Sequence, residues 1–198
     1  GRVEIGELTS AGAQTVHSHG VRYVIVFNGE LYNPQKIRHK LSQDGCALNW
    51  IGQSDTETLI AAIERWGILR ALTEATGMFA FALYDVSQKQ LFIARDRCGQ
   101  KPLYYWHQNG KFIFASEVKS ILAAEEVSRE TNTQAIDAYL TLRYVPEPQT
   151  MFKNIFTLPA AHYLIINHNL DLSLQRYWDI NLVNNQKYLS EPEAFLQV

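Results

Sequence analysis

The chain has 198 residues, 46% of them hydrophobic, which is enough apolar material for one sizeable domain. It carries 18 Lys and Arg against 20 Asp and Glu, and a net charge of −2 without a basic block argues against nucleic acid as the main partner. No apolar run approaches the roughly 18 residues that a membrane-spanning helix needs, so the sequence argues against a membrane protein.

The chain holds two cysteines, Cys46 and Cys98, and neither belongs to a Cys-x-x-Cys pair. Such cysteines form neither a disulfide framework nor a structural zinc site, which indicates reduced thiols in a cytoplasmic protein. We expect Cys98 to be buried and to pack as a small hydrophobe. His17 and His19 would share one face of a strand, but no third ligand is near in sequence, so we predict no metal in this domain.

The first informative segment is VIVFNGELYN, residues Val24–Asn33. An Asn-Gly pair between apolar runs predicts a two-residue hairpin turn, because both residue types tolerate positive φ. The same pair, Asn28 and Gly29, also offers an amide side chain beside an unhindered backbone N–H, a donor pair suited to a developing oxyanion. The segment by itself leaves both interpretations open.

Two helices are predicted next. Asn33 and Pro34 provide an N-cap and a first helical residue, Ile37 and Leu41 lie on the inner face, and Gly45 ends the helix. A second helix starts at the Ser-x-x-Glu capping box of SDTE, residues 54–57, and ends at Gly67. Its buried stripe is predicted to consist of Leu59, Ile60, Ile63 and Trp66.

From Gly77 the pattern changes to strands. GMFAFALYDV is apolar almost without alternation, as a strand buried on both faces is, and LFIAR, LYYW and KFIFA follow it, with an Asn109–Gly110 turn before the last. A short helix is predicted from Ser116 to Leu122. Because such strands need cover on their outer sides, we predict an α+β fold of two packed antiparallel sheets with a helical layer outside each.

The last third is predicted to contain one amphipathic helix and a closing hairpin. The helix runs from Gln134 to Leu142, with an apolar face formed by Ile136, Tyr139 and Leu140. HYLIIN and the segment 172–178 form the hairpin. Residues 181–198 are polar and weakly patterned, which is typical of a linker to a further domain.

Five blocks in a fixed order then point to one family: FNGELYN, SDTET, GMFAFALYD, ARDRCGQKPLYY and FASEVKSIL. With ELTSAGAQ before them and RYVPEPQTMFKNIFTLPAAHYL after them, they closely resemble the glutamine-hydrolysing domain of asparagine synthetases, a class II glutamine amidotransferase. The resemblance runs from Glu7 to Trp178. It implies the four-layer αββα sandwich of N-terminal-nucleophile hydrolases for residues 1–180.

The resemblance also implies roles for particular residues. In the family a cysteine at the mature N-terminus attacks the glutamine amide, and its own α-amino group is the base. By matching position, the Asn28 side chain and the Gly29 N–H form the oxyanion hole. Asp55 holds the α-ammonium group of glutamine, Glu30 lies in the same wall, and Arg2 grips the α-carboxylate.

Several of these residues have a structural interpretation as well. Asp55 lies in the first turn of a helix, where the dipole favours a carboxylate. We expect Asp96, between Arg95 and Arg97, to lock the loop after its strand by ion pairing rather than to touch substrate. Glu117 is expected to anchor the same loop.

The family begins Met-Cys-Gly upstream of the matching start, so we expect this chain to be truncated at both ends, to lack the first strand and to be inactive alone. The complete protein is expected to be a cytoplasmic enzyme in which a C-terminal synthetase domain uses ATP and Mg²⁺ to amidate aspartate with ammonia from glutamine. The glutaminase domain itself needs no cofactor. A homodimer is a further expectation.

Two alternatives stay open from the sequence. In β-lactam synthetases, an amidotransferase half persists without its cysteine, so the domain would be a scaffold rather than a catalyst. Alternatively, the ammonia is transferred to a sugar or peptide acceptor, because acceptor choice belongs to the other domain.

Overall fold

The computed structural model of the chain describes residues 22–45, 50 and 52–180, together with the backbone of residues 15–17. Arg2, His19, Cys46 and the predicted linker 181–198 lie outside the described residues, as do the side chains of the first strand. The described helices are α1 (Pro34–Gln43), α2 (Asp55–Trp66), α3 (Ile68–Glu74), α4 (Val118–Ile121) and α5 (Thr133–Leu142). The described strands are β1 (Thr15–His17), β2 (Tyr23–Leu31), β3 (Gly77–Asp85), β4 (Gln90–Arg95), β5 (Tyr104–Gln108), β6 (Lys111–Ala115), β7 (Ile155–Thr157), β8 (His162–Ile166) and β9 (Leu172–Arg176).

These strands form two antiparallel sheets. The large sheet has the order β1-β2-β3-β4-β8-β9, and the small sheet has the order β6-β5-β7. Strand β3 lies inside the large sheet and pairs with β2 along its whole length, from Tyr23 opposite Asp85 to Leu31 opposite Gly77. The long apolar run of β3 is explained by this position, because both of its faces are covered.

Three apolar clusters show how the layers are stacked. One face of the large sheet packs against α1, α2 and α3 through residues such as Phe79 and Phe81. The alternate residues of the same strand, Ala80 and Ala82, belong to a second cluster that the large and small sheets share. A third cluster around Trp106 lies between the small sheet and α4. The predicted α+β sandwich of four layers is therefore confirmed.

Most element predictions are confirmed as well. The first two helices, the strands β3 to β6, the Asn109–Gly110 turn and the β8–β9 hairpin all occur where the sequence places them. Helix α3 was not predicted, and α4 begins at Val118 with Glu117 at its N-cap, rather than with Ser116.

One of the two interpretations of the Asn28–Gly29 pair is wrong, and the predicted apolar face of α5 is exposed. The Asn28–Gly29 pair is not a hairpin turn, because β2 continues through both residues and pairs with β3 as far as Leu31. On α5, only Ala135 is buried, whereas Ile136, Tyr139 and Leu140 are exposed. Helical periodicity correctly finds an apolar face there, but no described element covers it.

Candidate active site

The carboxylate predicted to bind the substrate ammonium group does lie beside the strand that carries the predicted oxyanion donors. Asp55 is the first residue of α2, and its Oδ2 accepts a hydrogen bond from the backbone N–H of Leu31 at 2.8 Å. Leu31 is the last residue of β2, two positions after Gly29. Ser54 makes no side-chain bond to the start of the helix, so the capping-box prediction is wrong, and the carboxylate of Glu57 instead accepts the N–H of Gly52 at 3.2 Å.

The backbone N–H of Gly29 points away from β3. Opposite residues of an antiparallel pair exchange both backbone hydrogen bonds or neither. Phe79, opposite Gly29, gives its N–H to Asp96 Oδ2 at 3.2 Å, and its carbonyl accepts the N–H of Asp96 at 2.8 Å. Gly29 therefore directs its N–H to the other side of β2, the side on which the N–H of Leu31 meets Asp55.

This orientation depends on glycine. Gly29 has a φ of +146°, and a Cβ at this position would lie 2.1 Å from the carbonyl oxygen of Met78. The neighbouring strand has a matching glycine, because a Cβ on Gly77 would lie 2.2 Å from the carbonyl oxygen of Glu30. The two strands approach too closely at these points for any side chain, which explains the glycine in both motifs.

Asn28 presents its side chain to the other sheet. Side chains alternate along β2, and Phe27 and Leu31 face the helices, so Asn28 and Glu30 face the small sheet. The amide Nδ2 of Asn28 lies 3.5 Å from the hydroxyl of Ser116, which follows the last residue of β6. Asn28 thus lies at one end of the cleft between the two sheets, partly exposed, and Glu30 beside it is exposed.

The protonation of Asp55 is affected by its surroundings. Burial raises the pKa of its carboxyl group, and the negative charge of Glu30 raises it further. The hydrogen bond from Leu31 and the positive charge of Arg38 act in the opposite direction, but the pKa stays above its ordinary value. A cationic ligand at Asp55 would favour the ionised form.

Asp96 holds the loop after β4, but not in the expected way. Its carboxylate is fully buried and accepts four backbone hydrogen bonds rather than an ion pair. The donors are the N–H groups of Phe79, Cys98, Gln100 and Lys101, at 3.2, 3.0, 3.0 and 2.9 Å. The ion pair in this region belongs instead to Arg95, whose Nη1 lies 2.6 Å from Glu147.

Two further predictions in this region are wrong. Glu117 does not anchor the loop, because it is exposed and pairs with Lys119 at 2.6 Å, two residues along its own segment. Cys98 is exposed rather than buried. In the loop after β4, Cys98 directs its backbone N–H, rather than its side chain, to the buried Asp96.

Three residues that contribute to the site could not be predicted from the sequence. The N–H of Leu31 and the hydroxyl of Ser116 become neighbours of Asp55 and Asn28 only through long-range pairing. Arg38, on α1, lies close enough to Asp55 to lower the pKa of its carboxyl group, and helical periodicity cannot show this.

Comparison with known proteins identifies the family of the chain. The model of the glutamine amidotransferase domain family matches residues 1–178. The chain belongs to that family. The chain is also similar in fold to the glutamine phosphoribosylpyrophosphate amidotransferase of Bacillus subtilis, with a TM-score of 0.54 and 19% identity over 83% of this chain and 31% of that one. This likeness confirms the fold expected from the resemblance.

Two named relatives are larger proteins. Asparagine synthetase [glutamine-hydrolyzing] 1 of Bacillus subtilis is 33% identical over 170 residues, 86% of this chain and 26% of the relative. Amidase chyE of Penicillium rubens is 34% identical over 182 residues, 90% of this chain and 25% of the relative. The chain therefore spans about a quarter of these relatives. Within the described part of the chain, no helix is long and apolar enough to cross a bilayer.

Proposed function

We propose that this chain is the glutaminase half of an asparagine-synthetase-type enzyme and binds glutamine at the end of β2, on the side of this strand that faces away from β3. The observation that carries the proposal is that the N–H of Gly29 and the Asp55-bound N–H of Leu31 point to the same side of one strand. Two residues of strand span roughly 6.6 Å, a length that suits a glutamine with its side-chain amide near Gly29 and its α-ammonium group near Asp55.

In the proposed reaction, a cysteine thiolate attacks the side-chain carbonyl carbon of glutamine. The carbonyl electrons move to the oxygen, where the Gly29 N–H and the Asn28 amide stabilise the negative charge. The amide nitrogen takes a proton and leaves as ammonia, and water then cleaves the thioester to give glutamate and restore the thiol. The family resemblance supports an N-terminal cysteine as the nucleophile, and neither Cys46 nor Cys98 is assigned that role.

The proposal for the complete protein goes further. Ammonia released here would pass to a synthetase domain that activates aspartate. The name of one longer relative, a glutamine-hydrolysing asparagine synthetase, supports aspartate as the acceptor, and the family resemblance implies the use of ATP and Mg²⁺. The two cysteines, which follow no disulfide pattern, support a cytoplasmic location. We also infer that the 198 residues alone release no glutamate from glutamine. Release that Cys46→Ser or Cys98→Ser abolishes would contradict this inference.

One observation keeps a second acceptor class as a candidate, although it does not favour that class over aspartate. The amidase relative is as similar to this chain as the synthetase relative is, at 34% against 33% identity. Transfer of the ammonia to an acceptor other than aspartate is therefore the second candidate. The complete enzyme distinguishes the two, because only aspartate amidation gives asparagine as the product.

The test of the glutaminase proposal uses the complete reading frame that contains this chain. Asn28→Ala is expected to lower kcat for glutamate release by about 100- to 1,000-fold, as loss of an oxyanion donor does elsewhere. Asp55→Asn is expected to raise KM for glutamine with a smaller change in kcat. Asp137→Asn, an exposed carboxylate on α5, is the control. If the two site variants match this control, or if the complete protein releases no glutamate, the domain is not a glutaminase.

A further inference from the structure

Arg38 connects α1 to the start of α2, and its side chain is largely buried. Its Nε donates to the hydroxyl of Thr58 at 2.7 Å. Its Nη1 and Nη2 donate to the backbone carbonyls of Gly52 and Ser54 at 2.9 and 3.3 Å. The three guanidinium nitrogens thus reach both the segment that leads into α2 and the first turn of that helix.

Further contacts fix the guanidinium group itself. It lies over the ring of Trp50, 4.1 Å from the centroid, and Nη2 is 3.6 Å from the carboxylate of Glu57. The hydroxyl of Thr58 donates to the carbonyl of Ser54 at 3.2 Å while it accepts from Arg38. A planar fork that stacks and donates in several directions is a property of arginine that lysine does not reproduce.

The segment held by Arg38 ends at Asp55. Ser54 precedes Asp55 directly and makes no side-chain cap to the helix, so the contacts of its carbonyl with Arg38 and Thr58 fix where α2 begins. The first helical residue must then direct its carboxylate across to β2, where Leu31 donates to it at 2.8 Å. A shift of the helix start would move the carboxylate relative to the N–H of Gly29.

We propose that Arg38 is the positioning residue of the glutamine site: it holds the first turn of α2 so that Asp55 lies at the correct distance from the oxyanion donors. This inference rests on the proposed glutaminase function. The charged groups that act on Asp55 are Glu30 on β2 and Arg38 on α1, so Arg38 also offsets the repulsion that Glu30 exerts on the ionised carboxylate. Arg38 does not touch the reacting amide.

The experiment measures the complete enzyme with glutamine and with free ammonia, because ammonia bypasses glutamine hydrolysis. Arg38→Lys and Arg38→Gln are expected to raise KM for glutamine about tenfold or more, with a smaller fall in kcat, since each loses charge-assisted hydrogen bonds. The ammonia-driven rate is expected to be unchanged. In Arg38→Gln, which also removes the positive charge, the rise in KM is expected to grow as the pH falls, because without that charge the carboxyl group of Asp55 protonates at a higher pH.

Arg70→Lys is the matched control. Arg70 also stacks on a tryptophan, 4.7 Å from the centroid of Trp66, and pairs with Asp44 at 3.2 Å, but these contacts lie away from the start of α2. This variant is expected to keep the KM for glutamine. Thr58→Val, which removes one acceptor of Arg38 while it preserves side-chain shape, is expected to raise KM less than the Arg38 variants do.

Three results would overturn the positioning role. They are an unchanged KM in the Arg38 variants, an equal loss of the glutamine- and ammonia-driven rates, and, if the Arg38 variants do not fold, an unchanged KM in Thr58→Val. The proposed function is tested separately by Asp55→Asn. If Asp55→Asn raises KM while the Arg38 variants do not, only the positioning role fails.

Discussion

Substitution of Gly29 by alanine tests the close contact between β2 and β3. The substitution forces an alanine into a φ of +146° and places its Cβ 2.1 Å from the Met78 carbonyl oxygen and 2.6 Å from the Cα of Phe79. The disallowed backbone conformation costs about 1–3 kcal/mol. Separation of two hydrogen-bonded strands to relieve the overlap costs about as much again. We therefore expect Gly29→Ala to lower the free energy of unfolding by about 2–6 kcal/mol.

Two other glycines separate the strain from the overlap. A Cβ on Gly110 meets nothing within 4 Å, but its φ is +68°, so Gly110→Ala is expected to cost about 1–2 kcal/mol from backbone strain alone. In Gly77→Ala the new Cβ would lie 2.2 Å from the Glu30 carbonyl oxygen, but the residue does not have a left-handed φ. Its loss of unfolding free energy is expected to lie between those of the other two variants. Urea unfolding of the three variants and the wild type measures the order. If Gly29→Ala lowers the free energy of unfolding no more than Gly110→Ala does, the inference that β2 and β3 are in close contact at Gly29 is wrong.

Three carboxylates provide further predictions. Because burial raises the pKa of Asp55, the KM for glutamine is expected to rise on acidification at a higher pH than an ordinary carboxyl group would give, and Asp55→Asn is expected to abolish this dependence in steady-state kinetics. Burial would also raise the pKa of Asp85, but hydrogen bonds, first of all from Arg22, outweigh it and hold the pKa at about 2. A carboxyl group with a lowered pKa stabilises the fold at pH values above its unfolded-state pKa, and this stability is lost as the pH falls toward 2. In urea unfolding, Asp85→Asn is therefore expected to cost about 1–2 kcal/mol at pH 7 and almost nothing near pH 2. The partial exposure of Arg22 limits the cost at pH 7. Asp96→Asn directs an amide NH₂ at backbone donors in a buried site and is expected to cost about 3 kcal/mol or more at neutral pH, whereas Asp137→Asn on the surface is expected to change unfolding by less than about 0.5 kcal/mol.

The sequence predicts local structure well where the neighbours of a residue decide it. Asn109–Gly110 is a two-residue turn, with φ values of 52° and 68°, and the strand after it, Lys111–Ala115, has the predicted bounds. Asn28–Gly29 is the same dipeptide between similar apolar residues, and yet it continues a strand. The difference comes from Gly77, almost fifty positions further on, which lets β3 lie against β2 beyond the dipeptide.

Contacts with distant parts of the chain also decide the structure of the site and of the surface, and local sequence does not show these contacts. Periodicity finds the apolar face of α5, but what covers that face depends on elements that the pattern of one helix does not specify. Asp55 was consistent with a helix-capping acid and with a substrate ligand, because its position in the first turn suits both. Its hydrogen bond to Leu31, a residue 24 positions earlier, decides that the carboxylate faces the strand.

The proposed site uses two backbone N–H groups of one strand, that of Gly29 for the oxyanion and that of Leu31 for Asp55. The strand itself therefore sets the distance between these two groups. Backbone N–H groups two residues apart on a strand point the same way at a fixed spacing, so the distance between the Gly29 donor and the Leu31 donor does not depend on side-chain rotamers. Among the described residues of the proposed site, Asp55 is brought to this strand from another element, and Asn28 adds a side-chain donor. A site on a strand is positioned more precisely than a site on loops. The largely buried contacts of Arg38 lie at the start of α2, where the described part of the site depends on the placement of a second element.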